Sequence, residues 1–334
     1  MNRSTIIGSG SWGTTLGLLL SSQGKNVTIL TRNIRDENRL ITPSKTGRHI
    51  AGNKIPSSLT VSSDYERIIP NTDLVIFAVP SPTLRNNTKH ITKYLKSSTI
   101  ILSATKGLEN ITNKTMTDVI VDESDSIINK GQVGAISGPN LSGEILEGKL
   151  ALTTVAFTDL STAKTVQKYL NSPTLRPYTS TDLIGVQYGG ALKNIIAIAS
   201  GFADGSNLGN NAKASLITRG LNEIKTLGMS QGAREETFYG LSGIGDLITT
   251  CYSKLSRNYR FGNHLAKGLN IERCLEDISG TVEGLNTTTS AYSIMQKNKL
   301  ELPIISSIYK VLYEDFPPNQ LVMDLMARNL REEL

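Results

Sequence analysis

Short apolar runs alternate with helical patterns through the first half of the chain. Ser4–Ile7 is one such run, Thr14–Ser22 reads as a helix, and Asn26–Leu30 is the next strand. Further strands are expected within Asp73–Pro80 and over Thr99–Ser103, Val133–Ile136, Leu152–Ala156 and Leu175–Tyr178. This alternation predicts a doubly wound α/β sheet. Residues 41–58 carry Pro43, Gly47, Gly52 and Pro56 with little periodicity and read as a long loop. From Gly185 onward strand signals fade, and helices are expected over Asn211–Leu227, Gln231–Tyr239 and Thr287–Lys297. An α/β half over residues 1–181 followed by an all-α domain over 182–334 is the organisation this pattern implies.

Within Leu183–Phe202, Lys193 is the one side chain charged at neutral pH. Ile195, Ile196, Ile198 and Ala199 recur around a helical turn, so a core helix carries Lys193 beside Asn194. Gly189 and Gly190, one turn earlier, leave room for the amine. A buried lysine of this kind serves as a general acid or base; the alternative is a buried stem whose head reaches water. The run approaches membrane-span length, but its glycines, Gln187, Lys193 and Asn194 argue against a lipid-facing helix.

Between Ser4–Ile7 and the following helix lies Gly8-Ser9-Gly10-Ser11-Trp12-Gly13, a GxGxxG motif placed between strand and helix. The first glycine allows a tight turn, the second lets a pyrophosphate approach the backbone, and the third packs helix on strand. The first half therefore reads as a Rossmann-type dinucleotide-binding domain. No acid stands at the end of the second strand. Arg32 does, and it suits a 2′-phosphate or an ordinary exposed position equally. Ligands of such sheets gather at the carboxyl ends of strands, where Lys106 and the stretch Ser137-Gly138-Pro139-Asn140 fall. Two polar stretches of the second half read as loops. Leu241–Leu247 places Asp246 after glycines, and Ser253–Gly262 gathers Ser256, Arg257, Asn258 and Arg260, with Gly262 able to bend. A helix-cap aspartate and a solvated basic loop are the bland readings of these two.

Composition narrows the class. The chain has 334 residues, 38% hydrophobic and 19% charged, an ordinary folded composition. A formal charge of +6 suits an anionic ligand, but scattered Lys and Arg and 5% aromatics give no nucleic-acid signature. Cys251 and Cys274 form no CxxC pair, and the three histidines do not complete a zinc pattern, so no metal is expected and a reducing, cytoplasmic setting is. Arg3 followed by apolar residues to Leu20 imitates a signal peptide, but the glycine motif inside it argues otherwise.

Several blocks together, GSGSWGTTL, AVPS, SATKGLE, GVQYGGALKNIIAIASG, LITRGLNE, GLSGIGDLITTCYS, SRNYRFG and VEG, resemble the bacterial-type NAD(P)-dependent sn-glycerol-3-phosphate dehydrogenases from about Thr5 to Pro303. The resemblance implies a Rossmann domain, a helical second domain, and reversible reduction of dihydroxyacetone phosphate by NADPH or NADH to sn-glycerol 3-phosphate, which feeds glycerophospholipid synthesis. It implies a homodimer, with no nucleic-acid partner and no integral membrane segment. By the same resemblance Lys193 is the proton donor and acceptor, aided by Asp246 and Lys106. Lys106, Gly138, Asn140, Lys193, Asp246, Ser256, Arg257 and Asn258 contact substrate. Gly8, Gly10, Ser11, Trp12, Gly13, Arg32, Lys106, Ser142, Arg257 and Glu283 approach the cofactor, with Thr281 near it through its backbone. Asn140 stands where the family usually has Ser or Thr, Ser142 where it has Ala, Gln187 where Glu is common, Ala51 where Pro is usual, and Tyr259 where an arginine is commoner.

Two other readings differ in class or substrate. A two-domain 2-hydroxyacid-type dehydrogenase would favour a carboxylate over a phosphate. A dinucleotide sensor without catalysis would need only the glycine turn, and Lys193, Asp246 and Arg257 together count against it.

Overall fold

The computed structural model describes the chain except residues 45, 46, 125, 279, 319, 321–326, 328–331 and 333–334, and for 42–44 and 47–49 only the backbone. Two compact units emerge. Unit 1 comprises Met1–Lys106 and Lys114–Gln187, and unit 2 comprises Gly107–Asn113 and Tyr188–Leu334.

Unit 1 is built on eleven strands among the described residues. In chain order they are β1 (Arg3–Ile7), β2 (Asn26–Leu30), β3 (Thr42–Ser44), β4 (Gly47–Ile50), β5 (Asn53–Lys54) and β6 (Leu59–Ser62). Then follow β7 (Leu74–Phe77), β8 (Ile100–Ser103), β9 (Val133–Ser137), β10 (Ala151–Ala156) and β11 (Leu175–Ser180). Eight form one sheet in the order β11-β10-β9-β8-β7-β1-β2-β6. Every pairing is parallel except β9 with β10, where Thr154 faces Ser137. Side chains alternate between two cores. Ile6, Leu74, Ile76 and Leu102 enter one, with Leu16 and Leu20 of helix Ser11–Ser22 and Ala163 and Val166 of helix Leu160–Leu170. Ile7, Val75, Phe77 and Ile101 enter the other, with Leu84, Ile91, Met116 and Ile120 from helices Leu84–Thr92 and Met116–Glu123. Burial on both faces explains why these strands read as unbroken apolar runs. The doubly wound α/β reading is thereby realised. β1 lies between β2 and β7, so the chain leaves it in one direction and later returns on its other side. Such a switch point is where α/β sheets receive ligands, and Gly8 follows β1 there.

The expected loop over 41–58 is instead largely a small antiparallel sheet of β3, β4 and β5. Ile50 pairs with Asn53 across a two-residue turn in which Ala51 (φ 49°) and Gly52 (φ 78°) are both left-handed. That is the chemistry of a tight hairpin, which a count of prolines and glycines does not reveal. The edge strand β6 also went unpredicted, because Leu-Thr-Val-Ser is too short to show a period.

In unit 2 described residues form helices and no strand, with the part of helix Leu183–Gly205 from Tyr188 onward at the centre. Ile195, Ile196 and Ile198 pack with Ile217, Phe238, Leu247 and Phe261 in one core. Helix Gly209–Ser230 extends the expected 211–227 segment at both ends. Over 231–239 only Glu235–Tyr239 is helical, as a 3-10 turn. Near the end, Pro303–Tyr313 begins without a side-chain cap of its own; Ile304 and Ile305 instead donate their N–H groups to the buried carboxylate of Glu223, at 2.7 and 2.9 Å. Among described residues, no helix is long and apolar enough to cross a membrane.

Candidate active site

The glycine turn of unit 1 is shaped by backbone contacts. Gly8 has a φ of 115°, and a Cβ there would stand 2.4 Å from the Ala78 carbonyl oxygen at the end of β7. A Cβ on Gly13 would stand 2.1 Å from the Gly8 oxygen, so the third glycine holds the turn shut. Beyond its own chain neighbours, a Cβ on Gly10 would meet no atom of the described residues within 4 Å. Gly10 is also the N-cap of helix Ser11–Ser22, and no side chain caps that helix. Its first-turn amides are thus left to an external acceptor in open space, and they fit the pyrophosphate of a dinucleotide. Ser11 is exposed, whereas half-buried Trp12 packs on Ile145, Ala151 and Leu175. Ser142 begins the short helix Ser142–Leu146. Arg32 stands just past β2 with 84% of its side chain exposed and its Nε 3.0 Å from Asp36.

At the ends of β8 and β9, Lys106 donates to the Gly138 carbonyl at 3.2 Å. Gly138 lies against Thr153, whose Cα would be 2.9 Å from an added Cβ. The Thr153 hydroxyl donates to Ser137 (3.1 Å) and accepts from the Asn140 amide nitrogen (2.9 Å). With its proton committed to Ser137, Thr153 can only accept from Asn140, and this fixes the amide's orientation. The buried Asn140 oxygen then has no protein partner among the described residues. Thr153 was not among the expected residues; a threonine inside a strand carries no local signal.

In unit 2, Lys193 keeps only 7% of its surface, so its head does not escape to water. Its ammonium donates to Asp246 and, at 2.7 Å, to Thr250. Asp246 is 1% exposed. The expected loop Leu241–Leu247 is helical instead: a π-helical turn over Leu241–Gly245 runs into helix Asp246–Tyr252. Gly189 makes this possible. A Cβ there would lie 2.4 Å from the Ser242 carbonyl oxygen, so the space goes to the backbone that delivers Asp246, and not to the amine. Thr250, one turn beyond Asp246, shares Lys193 with it and carries no signal of its own in the sequence. The Cys251 thiol next to this cluster is pushed up to about 12, chiefly by burial, against the opposing pull of the Lys193 and Lys213 ammonium groups.

The second expected loop is also partly helical. Ser256 caps helix Arg257–Ala266 by accepting the Tyr259 N–H at 3.2 Å. Buried Phe261 and Leu265 give the helix an apolar face that its polar composition conceals. Asn258 is buried, donating to Asn194 (2.8 Å) and accepting the Gly284 N–H (2.9 Å). Arg257 is exposed, its guanidinium lying over the bare Cα of Gly280, beside Thr281 and close in sequence to Glu283, which begins helix Glu283–Lys297. Gly262 is no hinge. A Cβ there would come within 1.8 Å of the Ile198 oxygen, so it marks a backbone-to-backbone helix crossing. Among described residues no group of three or more His, Cys, Asp or Glu is arranged to hold a metal.

Residues 4–163 match the family model for the N-terminus of NAD-dependent glycerol-3-phosphate dehydrogenase, and residues 182–323 match the model for its C-terminus. The chain belongs to this dehydrogenase family. It is 41% identical to an NAD(P)+ glycerol-3-phosphate dehydrogenase of Dehalococcoides mccartyi over 100% of this chain and 93% of that protein. A counterpart from Salinibacter ruber is 37% identical over 100% of this chain and 97% of its own length. The solved glycerol-3-phosphate dehydrogenase of Coxiella burnetii superposes with a TM-score of 0.91 at 31% identity, covering 98% of this chain and 99% of that one. The Rossmann and helical architecture expected from sequence agrees with these relatives, and so does the family resemblance.

Proposed function

We propose that this protein reduces dihydroxyacetone phosphate reversibly to sn-glycerol 3-phosphate with NADPH or NADH. The buried Lys193–Asp246–Thr250 cluster carries the reading, because a non-catalytic dinucleotide binder has no use for an enclosed ammonium held by two partners. Lys193 donates a proton from Nζ to the carbonyl oxygen as it becomes an alkoxide, and takes it back in the reverse direction. Asp246 orients the ammonium and balances its charge, while Thr250 fixes the second hydrogen-bond direction. Lys106, Gly138 and Asn140 hold the polar end of the substrate, the unpartnered Asn140 oxygen accepting from a hydroxyl. Ser256, Arg257 and Asn258 meet the phosphate, Arg257 with a planar fork of donors. Gly8, Gly10, Gly13, Ser11 and Trp12 receive the dinucleotide, with Arg32, Lys106, Ser142, Arg257, Thr281 and Glu283 along it. When bound, the reduced nicotinamide supplies the hydride for the carbonyl carbon. In this reading residues 1–181 form the dinucleotide-binding domain and 182–334 the substrate-binding and catalytic domain, each lending a few residues to the other's ligand, in a cytoplasmic homodimer that supplies glycerol 3-phosphate to glycerophospholipid synthesis.

The test is oxidation of NADPH and NADH, followed by loss of the reduced-nicotinamide absorbance, with and without dihydroxyacetone phosphate. Substrate-dependent oxidation is expected. Cofactor binding without oxidation, or better turnover of small 2-keto acids, would sink the reading.

A further inference from the structure

Unit 2 buries a second lysine that the proposed chemistry does not use. Lys213, on helix Gly209–Ser230, keeps 4% of its surface. Its Nζ lies 2.6 Å from Asp204, 4.2 Å from the centre of the Tyr252 ring and 5.1 Å from that of Tyr259. Tyr259 donates its hydroxyl to the same Asp204 oxygen at 2.6 Å. Burying an ammonium costs free energy that a carboxylate still 28% exposed repays only in part, and apolar residues of similar size often serve stability as well or better. A purely structural account of this pair is therefore weak.

The order of these residues along the chain suggests another. Tyr252 ends the helix that begins at Asp246, and Tyr259 lies in the first turn of the helix that begins at Arg257. Ser256, Arg257 and Asn258 lie between the two rings. One ammonium thus touches both ends of the segment that carries the proposed phosphate ligands. The far end of the segment is also pinned by backbone, since a Cβ on Gly201 would stand 1.9 Å from the Tyr259 oxygen. Burial, followed by the neighbouring Asp204 carboxylate, pushes the Tyr259 phenol up to about 12, so it stays a donor to Asp204 at ordinary pH. Lys213 itself is enclosed by Asp204 and the two rings, so its influence on a ligand runs through the segment.

We propose that Lys213, anchored by Asp204, is a positioning residue that clamps Tyr252 and Tyr259 together and so presets Ser256, Arg257 and Asn258 for the substrate phosphate. The inference rests on the phosphate assignment made above. Its physical content is preorganisation: a segment already held in its binding geometry loses less freedom when the anion arrives. Each ring contact to a desolvated ammonium adds to that hold, as does the shared carboxylate.

Lys213→Met keeps the length and much of the packing of the side chain while deleting its charge. Steady-state kinetics with NADPH should then show KM for dihydroxyacetone phosphate raised about tenfold with kcat within about twofold. NADPH affinity should fall far less, through Arg257 alone, and the weak kcat/KM for unphosphorylated dihydroxyacetone should not move. Lys213→Arg should recover most of the loss, since it keeps the cation. Tyr259→Phe, which removes only the hydroxyl bonded to Asp204, should raise the same KM about threefold, and it decides the question if Lys213→Met does not fold. An unchanged KM for the phosphorylated substrate, or an equal fall in kcat/KM for both substrates, overturns the clamp. A wild-type protein that does not reduce dihydroxyacetone phosphate overturns the activity itself. A wild type that does, with variants indistinguishable from it, removes the clamp alone.

Discussion

The glycine turn of unit 1 and the lysine cluster of unit 2 are made of opposite materials. The first is backbone: Gly8 and Gly13 have carbonyls where a side chain would begin, and the helix after Gly10 is left uncapped. Other helices of the chain are capped by side chains, among them those of Asn33, Asp64, Thr115, Asp159, Ser256 and Asn270. The second is side chain: an ammonium, a carboxylate and a hydroxyl brought together from positions 193, 246 and 250. Anion binding needs only open N–H groups, whereas proton transfer needs a titratable atom held in place. The two should therefore fail in opposite ways, one when an atom is added and the other when atoms are removed.

Deleting the side chain at the second site should do the most damage. Lys193→Ala is expected to lower kcat about 10²–10⁴-fold while leaving NADPH affinity within about twofold. Lys193→Met should be equally inactive and less stable, because it leaves the Asp246 carboxylate buried without its cation. Near-wild-type turnover in either variant would remove Lys193 from the chemistry.

Adding one methyl at the first site comes next. In Gly13→Ala the new Cβ must displace the Gly8 carbonyl, and overpacking of this kind typically costs about 1–3 kcal/mol. NADPH should bind about tenfold to a hundredfold more weakly by calorimetry, with little loss of secondary structure by circular dichroism. Unaltered binding would mean that the turn does not receive the pyrophosphate.

Arg32 tests a finer distinction. It is highly exposed, with Asp36 as its neighbour, so its charge acts through well-screened solvent. Arg32→Asp should move the NADPH-to-NADH ratio of kcat/KM toward NADH by roughly fivefold. No change in that ratio would show that Arg32 does not read the 2′-phosphate.

The smallest effect concerns Cys251, which sits beside the lysine cluster without belonging to it. Its thiol ionises only near 12 in the folded protein, against an ordinary value of 9.0, and burial is the main cause. Iodoacetamide at about pH 8 should leave it unmodified, because the nucleophilic thiolate is nearly absent. The unfolded thiol loses its proton first, so its share of native stability is intact below about 9 and falls as pH rises toward 12. Rapid alkylation of Cys251 in the native state would contradict this placement.

How much the sequence revealed follows the same division. A backbone site must be written in consecutive residues, so Gly8, Gly10 and Gly13 could be read directly. So could the strands buried on both faces, whose apolar runs are continuous. The lysine was visible because it was out of place, but its partner Thr250 and the reason for Gly189 were not, since both depend on how Ser242 approaches another helix. Thr153 left no trace either, since its partners Ser137 and Asn140 come from outside its own strand. The polar stretches around Asp246 and Arg257 have the composition of loops, because hydrogen-bonding residues and glycines outnumber Leu247, Phe261 and Leu265. In the structure those few apolar positions are buried and the segments are helical.

Glu223 gives the end of the chain an unusual dependence. The helix at Pro303 receives its first acceptor from a residue 81 positions earlier, across the unit's interior. A peptide cut to that helix alone would lack its cap and should be largely unstructured in water. During synthesis this turn cannot be completed until Glu223 is already in place, so the amide protons of Ile304 and Ile305 should exchange on the schedule of whole-unit opening, not of local fraying.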